Sequence, residues 1–187
     1  TAQAVPVKLL AATSQVNAAR LLLSTKQYRD SKQRLDQAAG ILRGLDPSHE
    51  QISAFITVGL TYAKLRAFLV NLNRDLTLAA FQALHDAART ADRLGDLRGS
   101  SFAWGHLGKL YENERRYTEA LGVTQQAILM GQQASAPEAL YRWHWQAGRL
   151  LKGLGRPKEA IDSYRRAIVA VQSIRPEVSA MTAEEQA

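Results

Sequence analysis

Apolar residues recur along this chain at spacings of three and four almost from end to end, and strand-like alternation is scarce. That period belongs to helices which each bury one face. It predicts eight of them: Ala4–Ser24, Gln27–Leu42, Glu50–Val70, Leu76–Leu94, Arg98–Asn113, Tyr117–Gln133, Pro137–Leu154 and Pro157–Ile174. The breaks carry their own chemistry. Pro47 lacks an N–H and parts the second helix from the third. Ser48 with Gln51, and Ser135 with Glu138, have the spacing of a capping box. Pro137 and Pro157 suit a first helical turn, and Gly155 can supply a left-handed stop between the last two helices. Arg175-Pro176-Glu177 is expected to end the eighth helix, leaving 175–187 as a C-terminal tail or linker, or a short helix that packs back.

Within this pattern the lettering repeats. Gly108 is followed twelve residues later by Ala120 and seven further on by Ala127; Gly148, Ala160 and Ala167 repeat those steps forty residues downstream. A period of this length made of two helices predicts an all-α solenoid, because one hairpin cannot bury its apolar face without a neighbour. Trp104, Leu107, Gly108, Tyr111, Ala120 and Ala127, then Gly148, Ala160, Tyr164 and Ala167, resemble tetratricopeptide repeats. Thr124, His144 and Leu151 depart from the large or aromatic residues usual at their places. Upstream, Phe55, Gly59 and Tyr62 match a first helix, while Ala80, Leu84 and Ala87 match its second only if the hairpin holds about nine extra residues. Ala19, Tyr28, Leu35 and Ala38 keep the spacing without the Gly. The resemblance implies a right-handed α-solenoid of four hairpins, at about 4–44, 48–95, 98–134 and 137–174, forming one repeat domain over 1–174.

A second resemblance rests on wording. Leu94-Gly95-Asp96-Leu97-Arg98-Gly99, Leu107-Gly108-Lys109-Leu110-Tyr111-Glu112, Tyr141-Arg142-Trp143-His144-Trp145-Gln146 and Ser173-Ile174-Arg175-Pro176 are similar to the repeats found ahead of CHAT domains, which are caspase-like Cys/His peptidases. This implies a non-catalytic arm that docks, restrains or targets a protease, with a CHAT domain of the same parent chain as one partner.

Composition narrows the chemistry. The chain has no cysteine, so it offers no disulfide, thiolate metal site or cysteine nucleophile. His49, His85, His106 and His144 form no metal-ligand spacing, and neither a Gly-x-Ser-x-Gly elbow nor a phosphate loop occurs. No catalysis and no cofactor or metal is expected. No apolar run reaches the roughly 20 residues of a membrane span. Thr1 opens the chain without a signal peptide, which fits an excised segment or a mature form whose leader is gone. Cytoplasm is the default compartment, with periplasm or secretion open if a leader was removed.

The net charge of +7 favours acidic partners, although the cations are scattered. If the resemblance holds, the first helix of each pair lines a concave groove. Its face positions are Asn17 and Arg20; Thr57 and Lys64; Phe102, His106, Lys109 and Asn113; and Arg142, Trp145, Arg149 and Lys152. The cations suit carboxylates, Asn17 and Asn113 could clamp a peptide backbone, and Glu112 is the one acid placed beside them. Val16, Ile56 and Thr57 stand where the family's grip on a terminal carboxylate would need other polar groups, so that ligand is not expected. Trp143 is assigned to packing, as are Tyr28, Tyr62, Tyr111, Tyr117 and Tyr164; Trp145 is open between packing and a ligand anchor.

Three functions compete. They are a protein-binding arm of a CHAT-type protease, a stand-alone scaffold for acidic peptides and, ranked third, a basic solenoid on nucleic acid, for which the face holds few aromatics. If Lys109 and Arg149 grip the partner, reversing both to Glu is expected to abolish binding and leave the helical circular dichroism signal and melting unchanged, as read by thermal denaturation beside a binding titration.

Overall fold

The computed structural model describes residues 4–184, and the surroundings of side chains over 7–174. It is a right-handed α-solenoid of four helical hairpins: α1 (Ala4–Ser24) with α2 (Tyr28–Arg43), α3 (His49–Leu65) with α4 (Asn73–Leu94), α5 (Leu97–Asn113) with α6 (Tyr117–Gln133), and α7 (Pro137–Gly153) with α8 (Pro157–Glu184). Each helix packs first on its hairpin partner; α2, α4 and α6 then pass the stack to α3, α5 and α7. The first helices of successive hairpins also lie side by side, α1 on α3, α3 on α5 and α5 on α7, and so form the inner face.

The hairpins close where the small residues are. A methyl group added to Gly148 would sit 2.5 Å from the Tyr164 ring, and one on Gly59 would sit 2.7 Å from Leu84 Cγ. At Gly108 it would run into Thr124 and Gln146. In the first hairpin Ala19 takes the glycine's place, and the Ser31 hydroxyl donates to its carbonyl at 2.7 Å. The apolar core follows as a column. One cluster runs from Ala12 and Val16 through Leu35, Phe55 and Leu84 to Leu107, and two smaller ones fill the later hairpins. Trp104 packs against both the large cluster and the one around Trp143, and so joins them.

The turns share one geometry. Lys26, Arg115 and Gly155 hold φ of 64°, 60° and 73°, each followed by a residue whose N–H reaches five residues back: Gln27 to Leu22 O, Arg116 to Tyr111 O and Arg156 to Leu151 O. This is the 6→1 bond of a Schellman stop. Gly155 therefore ends α7 as its sequence implies, while Lys26 and Arg115 take the left-handed region without being glycine.

Four details differ from the sequence-based expectations. First, α3 stops at Leu65 rather than Val70, and α4 begins at Asn73 rather than Leu76. The extra residues form a folded loop closing on a 3-10 turn at Val70–Leu72. Its hydrogen bonds shorten to three residues, Ala67 to Lys64 O and Phe68 to Leu65 O, and the Phe68 ring lies flat on Tyr28 with centroids 4.4 Å apart. Second, Ser48 caps α3 by accepting from the Gln51 N–H at 3.1 Å, but the Gln51 amide turns inward and donates to Leu42 O at 2.6 Å, so the reciprocal half of the box is missing. Third, Ser135 is no cap: it takes φ of 49° in the turn before α7, and Glu138 faces Arg98 at 2.7 Å instead. Asp96, which the sequence reading passed over, caps α5 by accepting from Gly99 N–H at 2.7 Å. Fourth, α8 does not stop at Ile174 but runs through Pro176 to Glu184, although Pro176 lacks the N–H for one helical hydrogen bond. Residues 185–187 of the expected tail lie outside the described residues.

The crossing at Gly148 sets a test. Gly148→Ala is expected to destabilise the fold by about 1–3 kcal/mol, because the added methyl overpacks against Tyr164. Urea denaturation should show Gly148→Ala with Tyr164→Leu recovering part of that loss.

Candidate functional site

The inner face is built from α1, α3, α5 and α7, and the sequence-predicted residues divide along it. Between α5 and α7 lies an open depression of about 350 Å³ lined by His106, Lys109, Tyr141, Arg142, Trp143, Trp145, Gln146 and Arg149. Five of the predicted face residues therefore converge there: His106, Lys109, Arg142, Trp145 and Arg149. Phe102 does not line it; its ring meets Trp143 edge-on at 6.0 Å and His106 at 6.4 Å. Asn17 and Arg20 on α1, Lys64 on α3, Asn113 at the end of α5 and Lys152 at the end of α7 are exposed but stand apart from it.

The floor is a buried polar network. The Trp143 indole donates to Ser101 Oγ at 3.1 Å, and Ser101 Oγ donates to Ala127 O at 2.7 Å. Gln146 Nε2 donates to Gly105 O at 3.0 Å and to Thr124 Oγ1 at 2.9 Å. Trp143 covers Gly105 so closely that any side chain there would collide with its indole. Trp143 is a packing residue, as its sequence context implied, and position 105 must stay small for the indole to lie flat on α5. Thr124, off-pattern for a repeat, is explained by its contact with Gln146.

Electrostatics change the reading of the cations. Arg149 holds Glu112 with both Nε and Nη2 at 2.8 Å, and Lys109 Nζ reaches the same carboxylate at 2.8 Å. Burial works to raise the Glu112 carboxyl, but the hydrogen bonds from Arg149 and Lys109 outweigh it and hold Glu112 below the usual carboxylate range. The same bond raises Arg149. These two cations are therefore not free ligand donors without a structural role. Arg149 ties α7 to α5, and reversing Lys109 and Arg149 would set three carboxylates together, so melting is expected to fall along with any binding.

His106 is not a solvated donor either. Burial first, then the neighbouring Arg142 charge, pushes its imidazole down to about 4, so it is neutral at pH 7 and packs edge-on against Trp143 at 5.2 Å. Arg142 is exposed, lies 5.4 Å over the Tyr141 ring, and has no carboxylate partner among the described residues. Trp145 is 51% exposed, with only one edge on Tyr164 at 5.0 Å. Arg142 and Trp145 thus remain available at the rim.

A larger cleft, of about 670 Å³, lies elsewhere, between the start of α4 and the end of α5, and includes Asn73, Arg74, Phe81, Tyr111, Glu114 and Arg116. The sequence carried no signal for it, because its walls come from α4 and from the end of α5 and the turn after it, which meet only in the fold. Its polar walls are largely engaged: Arg66 binds Asn73 Oδ1 at 3.0 Å and also Glu114, while Arg116 lies 4.7 Å over Tyr111. Among the described residues no group of three or more His, Asp or Glu is placed to hold a metal, and no helix is long and apolar enough to cross a membrane.

Comparison with known proteins bears on the fold. The tetratricopeptide repeat family model matches residues 142–168, the span of the fourth hairpin that carries Arg142, Trp145 and Arg149. No curated protein matches the sequence. Among solved structures, the chain is similar to BtubC (BKLC) from P. vanneervenii, with a TM-score of 0.71 and 17% identity over 88% of this chain and 64% of that one. It thus spans less than two thirds of BtubC's length. It is also similar to MamA, with a TM-score of 0.62 and 14% identity over 88% of this chain and 81% of that one. At these identities the likeness is one of fold.

Glu112 gives the site a pH signature. Its folded carboxyl titrates below its ordinary value of 4.5, so its contribution is complete above that value and is lost as pH falls through the lower, folded one. Glu112→Gln is expected to cost about 1–2 kcal/mol at pH 7. In denaturation curves taken at a series of pH values, the gap between wild type and variant should close on acidification below 4.5.

Proposed function

We propose that this chain is a protein–protein interaction module that takes an acidic, extended peptide segment across the depression between α5 and α7. The observation that carries this is the pairing at its rim of an exposed indole, Trp145, with a cation that has no carboxylate partner among the described residues, Arg142. A half-exposed Trp is a typical interface anchor, and an unengaged Arg can take a carboxylate bidentately. Glu112 engages both Lys109 and Arg149 and offsets one of their two charges, so the surface open to an acidic group is narrower than the row of cations in the sequence suggests. Arg142 leads it, with Lys152, Lys64 and Arg20 supplying field along the same face. The buried network of Gln146, Trp143 and Ser101 gives the rim a rigid floor, so little ordering is needed on binding.

The wording shared with repeats ahead of CHAT domains extends the proposal. On that reading the chain is the non-catalytic arm of a CHAT-type protease, and the segment it holds belongs to the protease domain of the same parent chain or to a protein that this domain acts on. Residues 175–187 would then be the connection onward.

Fluorescence anisotropy with a labelled Asp/Glu-rich peptide carrying one leucine tests the surface. Arg142→Glu and Trp145→Ala are each expected to weaken binding about tenfold or more. Melting should stay unchanged in Arg142→Glu, whose side chain is exposed, and fall slightly in Trp145→Ala, which gives up the contact with Tyr164. Equal affinity in the Arg142→Glu variant would refute the assignment. Tighter binding of a single-stranded oligonucleotide than of the peptide, with a steep salt dependence, would favour the nucleic-acid reading instead.

A further inference from the structure

Both ends of the solenoid present apolar rows that the repeat register identifies. In α2, α4 and α6 the residues Ala39 and Leu42, Ala88 and Ala91, and Ile128 and Gly131 hold the following hairpin, and all are buried except the half-buried Ile128. Their counterparts on α8, forty residues beyond the last pair, are Ile168 and Val171, which are 53% and 42% exposed. Two turns earlier Leu121 is 6% exposed in the core between α6 and α7, whereas its counterpart Ile161 is 51% exposed. The face that seats a next helix is therefore present on α8 and bare.

The opposite end complements it. Thr61, Leu110 and Leu150 occupy one register position on α3, α5 and α7 and are 4%, 5% and 1% exposed; on α1 the same position is Leu21, 65% exposed. Ala136 and Ala139, buried beside Ala127 of α6, correspond to Val7 and Leu10, 66% and 71% exposed. Solenoid ends are ordinarily closed by a polar outer face. Here α1 carries the apolar positions of a helix that accepts a preceding hairpin, and α8 those of one that accepts a following hairpin.

We propose that α8 of one copy seats α1 of a second copy, continuing the α6–α7 interface from molecule to molecule. Ile161, Ile168 and Val171 would pack against Val7, Leu10 and Leu21. The contact joins two different surfaces, so it leaves a free end after each addition and gives head-to-tail chains rather than a closed dimer. It leaves the depression between α5 and α7 uncovered and is independent of the ligand proposed for it. With a net charge of +7 on every copy, salt should favour association by screening the repulsion.

Sedimentation velocity and light scattering on the 187-residue chain test this. The mean mass of the wild type should rise with concentration, and rise further with salt, without levelling off at a dimer. Ile161→Glu with Ile168→Glu removes one end, and Leu10→Glu with Leu21→Glu removes the other; each variant alone should be monomeric, with circular dichroism and melting retained because these positions are exposed. Mixed in equal amounts, the two variants keep one intact end each and should stop at a dimer. A wild type that stays monomeric throughout overturns the proposal and leaves these faces to another helix of different origin. Variants that associate as the wild type does, or a mixture that gives no dimer, overturn it as well.

Discussion

The close approach of two helices at a residue with almost no side chain governs this fold. Gly59 under Leu84, Gly108 under Thr124 and Gly148 under Tyr164 each bring a first helix against its partner. In the first hairpin Ala19 does so with a hydrogen bond from Ser31. A hairpin closed in this way presents one apolar face outward, and water penalises that face until another hairpin covers it. The core is therefore a column of neighbour contacts rather than a ball. The inner surface follows from it, because every first helix falls on the same side.

Polar groups then link one hairpin to the next. Tyr62 donates to Asp36 at 2.6 Å, Arg43 meets Asp86, Arg98 meets Glu138, and Arg149 clamps Glu112. Exposed pairs such as Arg98–Glu138 contribute little each. The Glu112 cluster differs because its carboxylate is 13% exposed and takes three donors, so it would be costly to leave alone. The same clamp engages two cations of the inner face and offsets one of their charges. Beside the clamp the stack leaves Arg142 and Trp145 exposed above a buried polar network.

Neighbour-only packing also makes the two ends of the molecule special. An interior helix has its register positions filled by the next hairpin, while α1 and α8 keep theirs open. Leu21 shares its register position with the buried Leu110 and Leu150, and Ile168 shares its own with the half-buried Ile128; among the described residues no hairpin covers Leu21 or Ile168.

The sequence by itself determined the eight helices, the hairpin pairing and the register. All of these depend on spacings within one helix or on small residues at fixed offsets, as with Gly108, Ala120 and Ala127. The stop at Gly155 was equally legible, since one residue supplies the left-handed backbone. Other features were decided only when distant segments met. The extra residues of the second hairpin fold into a loop because Phe68 finds Tyr28, forty positions away, and Glu112 finds Arg149 across thirty-seven. The His106 imidazole is pushed down by burial and by the Arg142 charge, both of which arise only where the fourth hairpin packs on the third. Periodicity places a side chain on a face, but which partner it meets there depends on the rotation between hairpins. That rotation is a property of the whole stack and is written in no single segment.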